Sequence, residues 1–279
     1  GGGGRVDLYL CENIVNAAQV LEEAVSRHLD GDDRAWVERS VGFVGTVVAR
    51  MVPPRGERRA GGHPLFVVAD SYRKFPYDVR ALRADPPPIE GMKPVRNFRA
   101  EVERKLYSYN LGHAALAYLG YLHGLTYVYE CYRNPETAGL VERALDETSE
   151  ALLRRYPRDL DPDEHREVRD DIRVRFASPL IGDTVARVAR DPIRKLGRTD
   201  RLVGSALLCL EQGVEPDGVA AVCGAALRYD HPEDPDAVRL QEMIADLGVE
   251  ETLREVSGVD PESELGRWIV EEYRKARSG

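Results

Sequence analysis

Apolar positions change their period once along this chain. Up to about residue 90 they come in short runs separated by polar turns. Arg5 to Cys11 alternates into a strand, which Glu12-Asn13 ends. Ile14 to Leu29 reads as a helix, because Ile14, Ala17, Ala18, Leu21 and Val25 recur on one face. Val41 to Met51 is apolar and β-branched, a strand or buried segment stopped by Pro53-Pro54. Leu65 to Ala69 is a further strand by its apolar run, after a Gly/Arg/Pro loop over Arg55 to Pro64. From Val95 onward the period is helical almost throughout. It predicts helices over 97–123, 136–155, 162–176, 180–190, 192–211, 215–228, 235–247, 250–257 and 261–276. Asp161-Pro162, Asp191-Pro192, Glu215-Pro216 and Asp260-Pro261 place an acidic residue before proline, as at helix starts.

The change of period implies two parts. Residues 1–91 are α/β with too few strands to close a sheet, and residues 92–279 form an all-helical domain. Pro86-Pro87-Pro88 with Gly91 and Pro94 is the natural linker. A strand as apolar as Val41 to Met51 needs neighbours, and an unpaired edge there is open to self-association. Gly1 to Gly4 carries no pattern.

Composition narrows the function classes. The 279 residues suffice for a sizeable core, and 43% are hydrophobic. A formal net charge of -9 argues against nucleic acid as the main partner, because phosphate backbones need a basic face. No apolar run reaches membrane-spanning length, and no leader precedes Arg5, so the expected location is the cytoplasm. Cys11, Cys131, Cys209 and Cys223 are scattered and read as reduced thiols. No His/Cys/Asp/Glu cluster has metal-ligand spacing, so no metal is expected.

The candidate chemistry lies in Glu101 to His113, where Lys105, Asn110 and His113 lead into the apolar Ala114-Ala115-Leu116-Ala117-Tyr118-Leu119. An amine, an amide and an imidazole against an apolar wall can hold and deprotonate an alcohol. Lysine is scarce: the chain holds 39 Lys plus Arg, and its lysines are Lys74, Lys93, Lys105, Lys195 and Lys275. A lysine in an arginine-rich chain suggests a task guanidinium cannot do, such as yielding a proton near neutral pH after desolvation. The spacing also poses a problem. On a straight α-helix all three lie within one side, Asn110 about 140° and His113 about 80° from Lys105, but Lys105 and His113 are about 12 Å apart along the axis. A straight helix does not assemble the site, so either the lysine leans or the helix is irregular near Gly112.

Lys105-x4-Asn110-x2-His113 followed by Ala-x-x-Ala-Tyr-Leu-Gly resembles the signature of the polyol-specific long-chain dehydrogenases. The resemblance extends through Cys11-Glu12-Asn13, Trp36-Val37-Glu38, Val41-Gly42-Phe43-Val44, Arg175-Phe176, Asp183, Arg187-Val188, Pro192 to Leu196 and Asp200-Arg201-Leu202. It implies a mainly α fold: a multi-helical C-terminal substrate domain like that of 6-phosphogluconate dehydrogenase, after an incomplete α/β remnant of a Rossmann-type domain.

It also implies reversible, metal-independent hydride transfer between NAD and a secondary alcohol, here D-mannitol 1-phosphate with D-fructose 6-phosphate as the ketose. An unphosphorylated polyol or a hexuronate is the alternative substrate. Lys105 is then the base, Asn110 and Asn13 donate to the developing oxyanion, and His113 holds a neighbouring hydroxyl or the carbonyl oxygen. Arg187, Lys195 and Asp78 match substrate-contacting positions, although Val79 stands where the sugar-phosphate members carry lysine. Arg190, Arg194, Arg198 and Arg201 read as surface or ion-pair residues. No Gly-x-Gly-x-x-Gly follows a strand in these residues. The chain alone is therefore expected to bind NAD poorly and to be inactive. A non-catalytic helical module or interaction subunit is the reading from another class.

Overall fold

The computed structural model describes residues 4–12, 14, 16–52, 67 and 69–275. The strand expected over Leu65 to Ala69, the loop over Arg55 to Pro64 and the candidate residue Asn13 lie outside the described residues. The chain divides into two compact units. One comprises Gly1–Val52 and Val68–Val102, the other Pro53–Val67 and Glu103–Gly279.

The first unit is α/β. Strand β1 (Val6–Leu10) pairs in parallel with β2 (Val41–Gly45), with Val6 opposite Val41 and Leu10 opposite Gly45. Parallel strands need a crossover, which helices α1 (Ala17–Ser26) and α2 (Gly31–Ser40) provide. A second parallel pair joins β3 (Phe75–Asp78) to β4 (Met92–Val95), and an antiparallel bridge links Thr46 to Tyr77. The Asp7 carboxylate ties β1 to the turn after β3, accepting from the Arg83 N–H at 2.7 Å and the Ala84 N–H at 3.2 Å. Gly42 is required beside it, because a Cβ there would stand 2.2 Å from Asp7 Oδ1.

Several expectations need correction here. The predicted strand over Val41 to Met51 ends at Gly45. Helix α2 has no apolar stripe, since its apolar residues Ala35, Trp36 and Val37 are consecutive and do not recur at helical spacing. Strands β3 and β4 contain Pro76 and Pro94, which argue against a strand in sequence.

The second unit is helical. Helix α3 (Phe98–Arg104), whose residues up to Val102 belong to the first unit, runs into a wide turn at Lys105–Asn110 and on into α4 (Leu111–Leu122). Then come α5 (Val128–Arg133), α6 (Pro135–Arg155), α7 (Pro162–Phe176), α8 (Val185–Ala189), α9 (Pro192–Lys195), α10 (Val203–Glu211), α11 (Asp217–Leu227), α12 (Pro235–Leu247), α13 (Val249–Ser257) and α14 (Glu264–Lys275). Helix α4 is the buried centre, with α5, α6, α8 and α11 packed on it. The mainly helical fold, with a helical C-terminal part after a short α/β region, is the one expected from the sequence.

Local chemistry explains the helix boundaries. The Asn134 side chain caps α6, accepting from the N–H groups of Glu136 and Thr137, and Asp161 caps α7 through Asp163 and Glu164. Asp191 adopts the left-handed conformation at φ 60 and makes no side-chain cap bond, so α9 lasts one turn. The predicted helix 192–211 breaks accordingly, and α10 starts only at Val203. The predicted helix 180–190 shrinks to α8, because Thr184 pairs in bridge fashion with Tyr127 and then caps the helix through the Arg187 N–H.

Glycines let the helices of this unit approach closely. A Cβ at Gly120 would meet Cys131 Sγ at 2.1 Å, and one at Gly224 would meet the Tyr273 backbone nitrogen at 2.8 Å. The second contact cannot relax by a rotamer change, since α11 and α14 touch there through backbone. Gly224→Ala should therefore lower stability by about 1–3 kcal/mol, the usual cost of overpacking. Urea denaturation checks this, and an unchanged midpoint would show that α14 sits farther from α11.

Candidate functional site

Lys105, Asn110 and His113 all lie on the continuous run from α3 to α4, and all three are half-buried. Between Lys105 and Asn110 the helix is of the i→i+5 type, with the Leu111 N–H donating to the Leu106 carbonyl. Such a turn uses about five residues where an α turn uses fewer. Asn110 therefore falls closer to the Lys105 side than the about 140° of a straight α-helix. The irregularity expected near Gly112 thus falls one turn earlier. Gly112 is regular helix, where a Cβ would crowd Phe176 and Leu145 at 3.0 and 3.2 Å.

The Lys105 amine has its pKa lowered to about 8, first by desolvation and then by the positive charges of Arg201 and Arg175. The neutral amine is thus accessible near physiological pH. Arg201 is only 13% exposed and is held by Asp200, its Nε 2.8 Å from Oδ1. It also lowers the pKa of His113 and of Lys195.

His113 is fixed from several sides. Its ring stacks on Phe176 with centroids 5.4 Å apart and an interplanar angle of 17°. Tyr109 lies 5.8 Å away, and the Arg175 guanidinium covers the Tyr109 ring at 4.6 Å. Nε2 of His113 is 3.1 Å from Oδ2 of Asp183, which is 5% exposed. The other oxygen of Asp183 accepts from Arg187 Nη2. Burial pushes the His113 pKa down, while Asp183 opposes the shift.

The structure brings Arg187 to His113 through Asp183. Lys195 is placed differently. Its side chain is 4% exposed, and Nζ donates to the carbonyl oxygens of Val188, at 2.9 Å, and Arg190. These carbonyls lie at the end of α8 and beyond it, where helix carbonyls lack intrahelical partners. Two of the three ammonium donors are thereby engaged. Burial, then Arg201 and Arg194, lower this pKa to about 7. Asp78 belongs to the first unit, where it caps the turn Val79–Ala81 by accepting from the Arg80 N–H and guanidinium. Asn13 lies outside the described residues.

Sequence reasoning left out three contributors. Arg201 read as a surface or ion-pair residue; it is an ion-pair residue, yet a half-buried one that acts on two lysines. Arg175 and Asp183 belonged to matched segments without a role. The spacing of Asp183 and Arg187 signalled an ion pair, but their link to His113 needs α4 and α8 side by side.

Parallel β1 and β2 end together at Leu10 and Gly45, the kind of edge that receives nucleotides in doubly wound sheets. The turn after β1 begins Cys11-Glu12, which offers a carboxylate where a pyrophosphate needs backbone N–H groups. The described residues that open this turn, Cys11 and Glu12, do not make a pyrophosphate cradle. Among the described residues no group of three His, Cys, Asp or Glu is placed to hold a metal, and no helix is long and apolar enough to cross a membrane. All four cysteines are unpaired.

A parallel-stranded α/β part followed by a helical part bearing Lys, Asn and His is the organisation of a two-part dehydrogenase. Residues 5–91 match the mannitol dehydrogenase Rossmann domain and residues 97–276 the mannitol dehydrogenase C-terminal domain. The chain belongs to the mannitol dehydrogenase family, as its resemblance to the polyol-specific dehydrogenases led one to expect. It is 36% identical over 265 residues to a mannitol-1-phosphate 5-dehydrogenase of Bacillus licheniformis, covering 95% of this chain and 68% of that protein. A mannitol-1-phosphate 5-dehydrogenase of Brevibacillus brevis is 33% identical over 272 residues, 98% of this chain and 69% of that protein.

Among solved structures, a substrate-free D-sorbitol dehydrogenase superposes with a TM-score of 0.76 at 18% identity. The Pseudomonas fluorescens mannitol 2-dehydrogenase, in ternary complex with NAD and D-mannitol, gives 0.72 at 20% identity. Each superposition covers 97% of this chain but only 60% of the solved chain, so the protein here spans well under two thirds of either, and the likeness is one of fold.

The charge around Lys105 can be tested directly. Arg201→Gln should move the Lys105 titration up from about 8 toward the value of free lysine, roughly 10.4. NMR of the Lys105 side chain over a pH series checks this. A wild-type midpoint already near that of free lysine would contradict the buried placement.

Proposed function

We propose that this chain carries the alcohol-binding and proton-accepting part of an NAD-dependent polyol-phosphate dehydrogenase. The reaction is the interconversion of D-mannitol 1-phosphate and D-fructose 6-phosphate. The observation that carries the reading is the Lys105 amine lowered to about 8 on the same wide turn as Asn110. The two mannitol-1-phosphate 5-dehydrogenases, at 33% and 36% identity, support the substrate. In this reading residues 1–91 belong to the nucleotide-binding part and residues 92–279 to the substrate part.

NAD supplies the hydride acceptor. Neutral Lys105 takes the hydroxyl proton as the carbon is oxidised, and it returns that proton when the ketose is reduced. Asn110 donates N–H groups to the oxygen as charge develops on it. His113 holds an adjacent hydroxyl. Arg187 and the remaining donor of Lys195 meet the phosphate. One observation favours a free polyol as second substrate class. Arg187 is paired with Asp183, and Lys195 with two carbonyls, so both cations are partly neutralised within the chain.

Formation of NADH from D-mannitol 1-phosphate and from D-mannitol, in the complete protein that carries these residues, separates the two. The reading expects a kcat/KM at least about 100-fold higher for the phosphate ester, the worth of one or two charge-assisted contacts. Equal values would select the free polyol. Lys105→Ala should lower turnover by about 100-fold or more. Lys105→Arg should do nearly as badly, because guanidinium keeps its proton at working pH. The sign of the pH dependence follows from which form reacts. Alcohol oxidation needs the neutral amine and should rise through a midpoint near 8, while ketose reduction needs the ammonium and should fall through it. Normal turnover in Lys105→Arg would transfer the base role elsewhere, with His113 the next group in line.

A further inference from the structure

Asp183 is the acidic group that the proposed proton transfer leaves unused, although it lies between two residues assigned to substrate. It is 5% exposed and belongs to the stretch leading into α8. Its backbone carbonyl accepts from the Val128 N–H at 3.0 Å, which fixes the residue against the start of α5. One carboxylate oxygen is 3.1 Å from His113 Nε2, and the other accepts from Arg187. These contacts and burial hold its pKa down, although burial alone would raise it. Asp183 is therefore an anion and can only accept. His113 must then carry a proton on Nε2. Burial keeps the imidazole from taking a second proton, with Arg187 and Arg201 acting in the same direction and Asp183 against it. The lone pair is left on Nδ1.

We infer that Asp183 is a positioning residue that locks His113 as the neutral Nε2–H tautomer, so that His113 meets a hydroxylic ligand as an acceptor through Nδ1. The stacking of the ring on Phe176 opposes rotation, and Asp183 then decides which nitrogen bears the proton. A carboxylate fixing the tautomer and orientation of a working histidine is a general device. The consequence is a division of labour within the proposed site, on which this inference rests. The N–H donors for a carbonyl oxygen come from asparagine, and His113 accepts from a hydroxyl that stays protonated. His113 is then suited to the polyol's neighbouring hydroxyl and ill suited to the carbonyl oxygen itself.

Nitrogen-15 NMR of the imidazoles reads the tautomer in the protein without any ligand, and His113→Gln identifies the His113 signals. The expected wild-type spectrum at neutral pH shows one His113 species, with Nε2 protonated and Nδ1 not. In Asp183→Asn the two nitrogens should shift toward each other, as both tautomers become populated, while Asp183→Glu should restore much of the wild-type pattern. A wild-type His113 protonated on Nδ1 overturns the inference, and so does an Asp183→Asn spectrum identical to wild type. In the complete enzyme, Asp183→Asn should raise KM for the polyol about 10-fold or more and leave the oxidation midpoint near 8, because Asp183 is not among the charges that shift Lys105. A moved midpoint with unchanged KM would count against the role. The tautomer is read without turnover. Thus an Nε2–H His113 in a protein that oxidises no polyol phosphate would defeat the functional reading and leave the inference standing.

Discussion

One helical turn that is too wide controls the geometry of the candidate site. An unbroken α-helix from Phe98 to Leu122 would turn Asn110 away from Lys105. The i→i+5 turn over Lys105–Asn110 narrows that angle and still passes the helix into the buried α4. Tyr107, Ser108 and Tyr109 go into the core on the other side. The Ser108 hydroxyl is buried with no hydrogen-bond partner, a local cost that the wide turn incurs. Local strain or frustration of this kind is common where a fold holds functional groups.

Charge is the second organising factor. Lys105, Lys195, Arg175, Arg187 and Arg201 converge in a unit whose chain carries a net charge of -9. The strongest acids among these cations, the two lysine ammonium groups, are the ones that respond. Guanidinium groups keep their protons, so burial first and the repulsion second appear as depressed pKa values of the two lysines. Asp183 and Asp200 hold Arg187 and Arg201 in place and limit the excess. The scarcity of lysine in the sequence thus corresponds to a physical difference. Lys105 and Lys195 sit where an ammonium can become neutral, and Lys195 has carbonyl partners at the end of a helix.

Periodicity made much of the second unit legible, because α6 and α14 each bury a stripe of largely apolar residues at helical spacing. The failures have local causes. Thr184 and Asp191 interrupt apolar patterns that look continuous, one by pairing with Tyr127 and the other by its positive φ. Strands β3 and β4 are held by pairing between residues 17 apart in register, Phe75 with Met92, which no local pattern announces. In the site, the spacing of Lys105, Asn110 and His113 showed that a straight helix could not serve. It did not show where the irregularity lay. Arg201 and Asp183 were invisible as contributors because their effect depends on distances between α4, α8 and the loop before α10.

The central claim is that the wide turn aims Lys105 and Asn110 at one substrate oxygen. A high-resolution crystal structure of the complete protein with D-fructose 6-phosphate bound tests it most directly. The account predicts an i→i+5 turn at Lys105–Asn110, with Lys105 Nζ and Asn110 Nδ2 both within about 3.2 Å of the ketose carbonyl oxygen. A regular α-helix through these residues, or a ligand oxygen that meets only one of the two side chains, would contradict it.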